Sequence, residues 1–99
     1  MTELVHNRWP VLAAQIETAL RSAGEPVLAE RWQDAHFVQQ CGCGDDFCQS
    51  FYTQPRPAGA YGPGHRNLVL DAPWPGYLIL DVVGEQIMHV EVLYRPTLD

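Results

Sequence analysis

The spacing of apolar residues changes once along this chain, and that change limits the folds open to it. Between positions 9 and 23, Trp9, Leu12, Ala13, Ile16, Ala19, Leu20 and Ala23 recur every three or four residues. A helix brings such residues to one face. From residue 35 onward apolar residues tend to alternate, the period of a strand with one buried side. A helical stretch followed by a run of strands predicts an α+β fold. The expected architecture is one domain, residues 1–99, with an N-terminal helix over 8–23 and a short second helix. Both pack on an antiparallel sheet of about five strands.

Punctuating residues set the expected boundaries. Asn7 suits the cap of the first helix, Pro10 its first turn, and Gly24 its left-handed stop. Pro26 suits the start of the second helix, which runs to about Gln33 with Leu28 and Trp32 one turn apart. Ala35–Cys41 and Cys48–Thr53 then read as a hairpin. Residues 54–65 hold three glycines and three further breakers in Pro55, Pro57 and Pro63, so they form a loop. Asn67–Leu70, Tyr77–Val83 and Gln86–Tyr94 complete the strands, with a rigid turn around Trp74. In the last hairpin, a three-residue turn Val82-Val83-Gly84 unites Leu78 and Leu80 with Met88, Val90, Val92 and Tyr94 on one face.

Charge narrows the partners. The chain has no lysine; six arginines oppose 12 acidic residues, for a net charge of −6. Binding to phosphate backbones relies on clustered cations, and none are clustered here. Nucleic acid and anionic membranes are therefore not expected partners, whereas a basic protein surface is. No basic n-region precedes the first apolar stretch, and no apolar run nears the ~20 residues of a membrane span. The expected compartment is the cytoplasm, with reduced thiols.

The chemistry is concentrated in one turn. Cys41, Cys43 and Cys48 are the only cysteines and fall within eight residues, interleaved with Gly42 and Gly44. Thiols so close share a metal ion, form a disulfide, or remain free and structural. Zinc favours thiolates, and a hairpin end supplies backbone N–H groups to the sulfurs. The spacing C-x-C-x4-C lacks a fourth ligand. His65 is the weak candidate for it, reaching the turn only if the long loop folds back; His36 lies too far along its strand. The cofactor expectation is thus none, or one zinc ion.

The run CGCGDDFCQSFYT, followed by GHRNLVLDAPWPGYLILDVV and a closing VEVL, resembles small bacterial proteins of unknown function that carry a CGCG…C turn. The likeness spans roughly residues 38–93. It implies a bacterial origin and a compact α+β fold, and it implies no activity.

No catalytic constellation is assembled by the sequence alone. Cys43 or Cys48 with His65 is the pair a nucleophilic mechanism would need, and nothing brings them together. His89 and Glu91 read as polar residues on a half-buried sheet face, and Asp71 and Asp81 as turn and edge residues. The leading expectation is a non-enzymatic bacterial protein that docks on a partner through an acidic surface. Its expected contact residues are Asp45, Asp46, Tyr61, His65 and Arg66. The alternative is a small zinc-knuckle-like domain centred on the cysteine turn. A thiol-dependent enzyme or redox protein comes third.

Overall fold

In the computed structural model, which describes residues 2–99, Pro10 divides the expected first helix. The pyrrolidine ring disfavours helical backbone at the preceding residue, and Trp9 sits at φ −136°, ψ 75°. Helix α1 (Val5–Arg8) therefore ends before it, and helix α2 runs from Pro10 to Ser22. Asn7 lies inside α1 and caps nothing. The cap of α2 comes from far away in sequence: the Leu12 N–H donates to the Asp99 carboxylate at 2.9 Å. A carboxylate there also meets the positive end of the helix dipole.

Gly24 ends α2 as its type allows. At φ 75° its N–H donates to the Arg21 carbonyl, while Glu25 N–H donates to that of Leu20. This pair of bonds is the Schellman arrangement, which satisfies carbonyls the helix leaves open. Helix α3 (Pro26–Trp32) follows. Its Trp32 is fully buried, and the indole N–H donates to the Ala13 carbonyl at 2.9 Å. That bond satisfies a buried polar group and ties α3 to α2.

Among the described residues, seven strands form two antiparallel sheets. A small one pairs β1 (Glu3–Leu4) with β2 (His36–Phe37). The larger one comprises β3 (Gln39–Gln40), β4 (Phe51–Tyr52), β5 (His65–Leu70), β6 (Tyr77–Val83) and β7 (Gln86–Leu93). Their order is β3-β4-β7-β6-β5. The five-stranded α+β expectation holds. The cysteine hairpin is shorter than its apolar pattern suggests, because His36 and Phe37 leave it to pair with Glu3 and Leu4. Strand β5 begins two residues earlier than expected, at His65.

The last hairpin unites its core face by a different route. The turn is the two-residue Gly84-Glu85, since Val83 pairs with Gln86. Gly84 takes φ 61°, as a type II′ turn requires at its first position. Left regular, that turn sets Leu80 against His89. A bulge corrects the register: Val82 pairs with Ile87 but Asp81 with His89, so Met88 is the extra residue. Leu80 and Leu78 consequently face Val90 and Val92, and all four are fully buried. Ile87 and Val82 join the core, Met88 does not, and Tyr94 is half-exposed at 51%.

These residues and the inward face of α2 (Leu12, Ala13, Ile16, Ala19, Leu20) belong to one hydrophobic cluster that also holds Trp32 and Phe51. Each leucine buried there contributes about 1.5–3 kcal/mol by area removed from water. Trp74 anchors the far end, its indole N–H donating to the Leu93 carbonyl at 3.0 Å. Gly76 permits this approach: a Cβ there would fall on the Leu93 carbonyl oxygen and the Trp74 ring. The two ends of the large sheet hold the groups of chemical interest.

Candidate metal centre

The cysteine turn begins where β3 and β4 stop pairing. Cys41 N–H donates to Ser50 at 3.0 Å, and Cys48 N–H closes the turn on Asp45 at 3.1 Å. Gly42 and Gly44 both take φ 79°, and in both the space a Cβ would occupy is open. Glycine is needed here for backbone conformation, not for room. Beyond the turn, Cys48 bridges to Leu93 of β7. The turn is thus fastened to the central sheet on one side.

This local geometry gathers all three sulfurs. Cys41, Cys43 and Cys48 carry free thiols, and their Sγ atoms lie within 4.8 Å of one another. Among the described residues, no other His, Cys, Asp and Glu side chains form a group tight enough to hold an ion. Tetrahedral zinc with Zn–S bonds of about 2.3 Å needs sulfurs about 3.8 Å apart. The observed limit of 4.8 Å exceeds that by about 1 Å.

The electrostatics are those of crowded acids. Burial, followed by the neighbouring Cys48 charge, pushes the Cys41 thiol up to about 11. A Cys43 N–H aimed at the Cys41 sulfur works against that rise. Burial also acts to raise Cys48, but it is outweighed by the Ser50 hydroxyl and N–H, then by the other two thiols. Cys48 therefore lies below its ordinary value. Ser50 is buried and its hydroxyl oxygen lies 3.3 Å from Cys48 Sγ. The same oxygen accepts the Val92 N–H at 3.0 Å, replacing a backbone partner in the ladder. The turn thus has one sulfur eased toward ionisation and a second held back from it, chiefly by burial, which a nearby positive charge would oppose.

His65 stands elsewhere. It pairs with Val83 beside the Gly84-Glu85 turn, whereas Cys48 pairs with Leu93 at the opposite end of β7. The strand between these ends spans roughly 20 Å at ~3.3 Å per residue. The expected docking residues are divided in the same way. Asp45 and Asp46 are exposed in the cysteine turn. Tyr61 packs on the His65 ring at 4.9 Å, and Arg66 forms two hydrogen bonds to the Glu25 carboxylate, at the other end.

Around His65 the structure assembles a group that sequence spacing did not reveal. Asp81 lies within the interior strand β6, not in a turn or at an edge. Its carboxylate holds His65 Nε2 at 2.8 Å and His89 Nδ1 at 3.1 Å. His89 is thus bound to Asp81, and its ring also packs on Tyr52 at 4.3 Å. Its Nε2 is buried without a partner. Burial lowers the pKa of His89 below the ordinary histidine value, against the opposing pull of Asp81 and then Glu91. Burial raises the Tyr61 hydroxyl, helped by the charge of Asp81. Sheet register was the signal that would have found this trio, because His65, Asp81 and His89 all project from one face.

No helix among the described residues is long and apolar enough to cross a membrane. Comparison of the chain with protein-family models, curated proteins and solved structures gives no match in any of the three.

Proposed function

We propose that this protein is a small metal-binding domain in which Cys41, Cys43 and Cys48 hold one zinc ion. The observation that carries the reading is the convergence of three free thiols within 4.8 Å on a turn anchored to the sheet. A dication offsets both the burial and the Cys48 charge that hold Cys41 high, so binding would release thiol protons and tighten as pH rises. N–H groups from Cys43 and Ser50 aim at the Cys41 and Cys48 sulfurs. Such donors orient thiolates and spread their charge. Three protein ligands leave the fourth tetrahedral position to water or to a donor from outside the chain.

Elemental analysis of protein purified from zinc-supplemented cells is the direct test. One equivalent is expected in the wild type and none in the Cys41→Ser/Cys43→Ser/Cys48→Ser variant. Wild-type protein that stays metal-free, shows three freely titrating thiols and has a Tm indifferent to zinc would reject this function.

A further inference from the structure

Among the described residues, arginine covers aromatic rings at three places. Arg8 lies over Trp9 and Phe37, at 4.9 and 4.5 Å from the ring centroids. Arg56 lies 5.8 Å from Tyr52, and Arg95 lies 5.1 Å from Trp74. The most exposed aromatic group has no such cover among the described residues. Phe47, Tyr94 and Tyr77 form a ladder beside the cysteine turn, with exposures of 41%, 51% and 56%. Phe47 and Tyr94 stack at 5.0 Å with planes 18° apart, and Tyr77 stands 6.2 Å from Tyr94.

Two further features set this ladder apart. Tyr94 is the only non-glycine among the described residues with positive φ, at 63°. A bulky residue there is strained, and such strain persists only where the surroundings hold it. Here Tyr94 N–H donates to the Phe47 carbonyl at 2.8 Å, which fixes its ring over Phe47. Secondly, Asp45 and Asp46 immediately precede Phe47, are exposed, and take part in no salt bridge among the described residues. Arg95, next to Tyr94 in sequence, lies over Trp74 and donates to Gln15 at 2.7 Å.

We infer that the Phe47–Tyr94–Tyr77 ladder and the Asp45-Asp46 rim form a docking surface for an arginine-bearing, extended basic segment of a partner protein. A guanidinium is planar and weakly hydrated, so it stacks on exposed rings while its N–H groups reach flanking carboxylates. The chain's net charge of −6 draws such a segment in. This surface keeps Asp45 and Asp46 as contact residues and replaces Tyr61, His65 and Arg66 with the aromatic ladder. It needs no metal at the cysteines.

The test uses a synthetic peptide of four arginines spaced by glycines, and a matched citrulline peptide that keeps the shape without the charge. Both are titrated into the full chain and followed by amide and aromatic NMR shifts. The arginine peptide should shift Phe47, Tyr77 and Tyr94 resonances and bind at least tenfold tighter than its citrulline counterpart. Tyr94→Gly removes the ring and the backbone strain together. It should raise Tm while weakening the arginine peptide about tenfold. Asp45→Asn/Asp46→Asn should weaken binding and flatten its salt dependence. The proposal is overturned if the ladder resonances do not move at millimolar peptide, or if citrulline binds equally well. It is also overturned if Tyr94→Gly leaves affinity unchanged, or if the ladder instead mediates concentration-dependent self-association that Tyr94→Gly abolishes.

Discussion

The cysteine turn and the Asp81 cluster occupy opposite ends of one sheet, and they are built by opposite means. The turn draws its three sulfurs from eight consecutive residues, and local backbone geometry brings them together. The Asp81 cluster draws one residue from each of three neighbouring strands and exists only when β5, β6 and β7 are in register. The first group is close because the chain is short between its members. The second is close because the sheet is folded. Damage to the sheet should therefore dissolve the histidine group, whereas the turn should retain much of its affinity for an ion.

Metal gives the largest contrast. At a hundredfold excess over Kd, zinc should stabilise the wild type by about 2.7 kcal/mol. For a domain of this size that raises Tm by roughly 10–20 °C. The triple serine variant should show no rise in the same thermal melt, and Asp81→Ala should show the full rise. Equal loss of the zinc response in both variants would break the comparison.

Next in size come the polar groups that sheet folding has buried. Asp81→Ala leaves His89 with neither ring nitrogen paired, and should cost about 1–3 kcal/mol in urea unfolding. Ser50→Ala strands the Val92 N–H and should cost a similar amount, about 1–3 kcal/mol. Asp45→Ala, in the exposed turn, should stay within about 0.5 kcal/mol.

Acid should separate the two ends more gently. The folded pKa of His89 lies below its ordinary value, chiefly through burial. Between the two values the unfolded chain binds more protons, so stability falls as pH drops through about 6.5. The decline stops once pH is below the folded value. A His89→Gln variant should show a shallower decline between pH 7 and 5 in the same unfolding assay. The smallest effect is an order of reaction. In metal-free protein Cys48 should be alkylated at lower pH than Cys41, read by mass spectrometry of peptides after brief labelling.

The same division explains how much was legible in the sequence. Helix α2 and the cysteine turn are encoded by neighbours, and both were readable from spacing alone. The break at Trp9 was within reach too, since Pro10 restricts the residue before it. The bulge at Met88 was not: one extra residue exchanges Met88 for Ile87 in the core, and the alternating pattern of β7 tolerates either choice. Asp81 meets His65 and His89 across separations of 16 and 8 residues, and only the true register reveals that. Strand β1 is two residues long, too short for any period to show. The expected docking residues come from both ends of the sheet, Asp45 and Asp46 from the cysteine turn and the other three, Tyr61, His65 and Arg66, from the end beside Gly84, a division that only the strand register reveals.

The bond from Asp99 to Leu12 has a consequence for the order in which the molecule is made. It spans 87 residues of sequence. On the ribosome, α2 emerges long before the carboxylate that caps it. A nascent chain holding only α1 to α3 therefore carries a helix whose first turn is open to water, and fraying there is expected until β7 and the residues after it arrive. The start of the first long helix is closed only once residue 99 has emerged, so a ribosome stalled before that point should hold a chain whose first turn of α2 exchanges its amide protons freely.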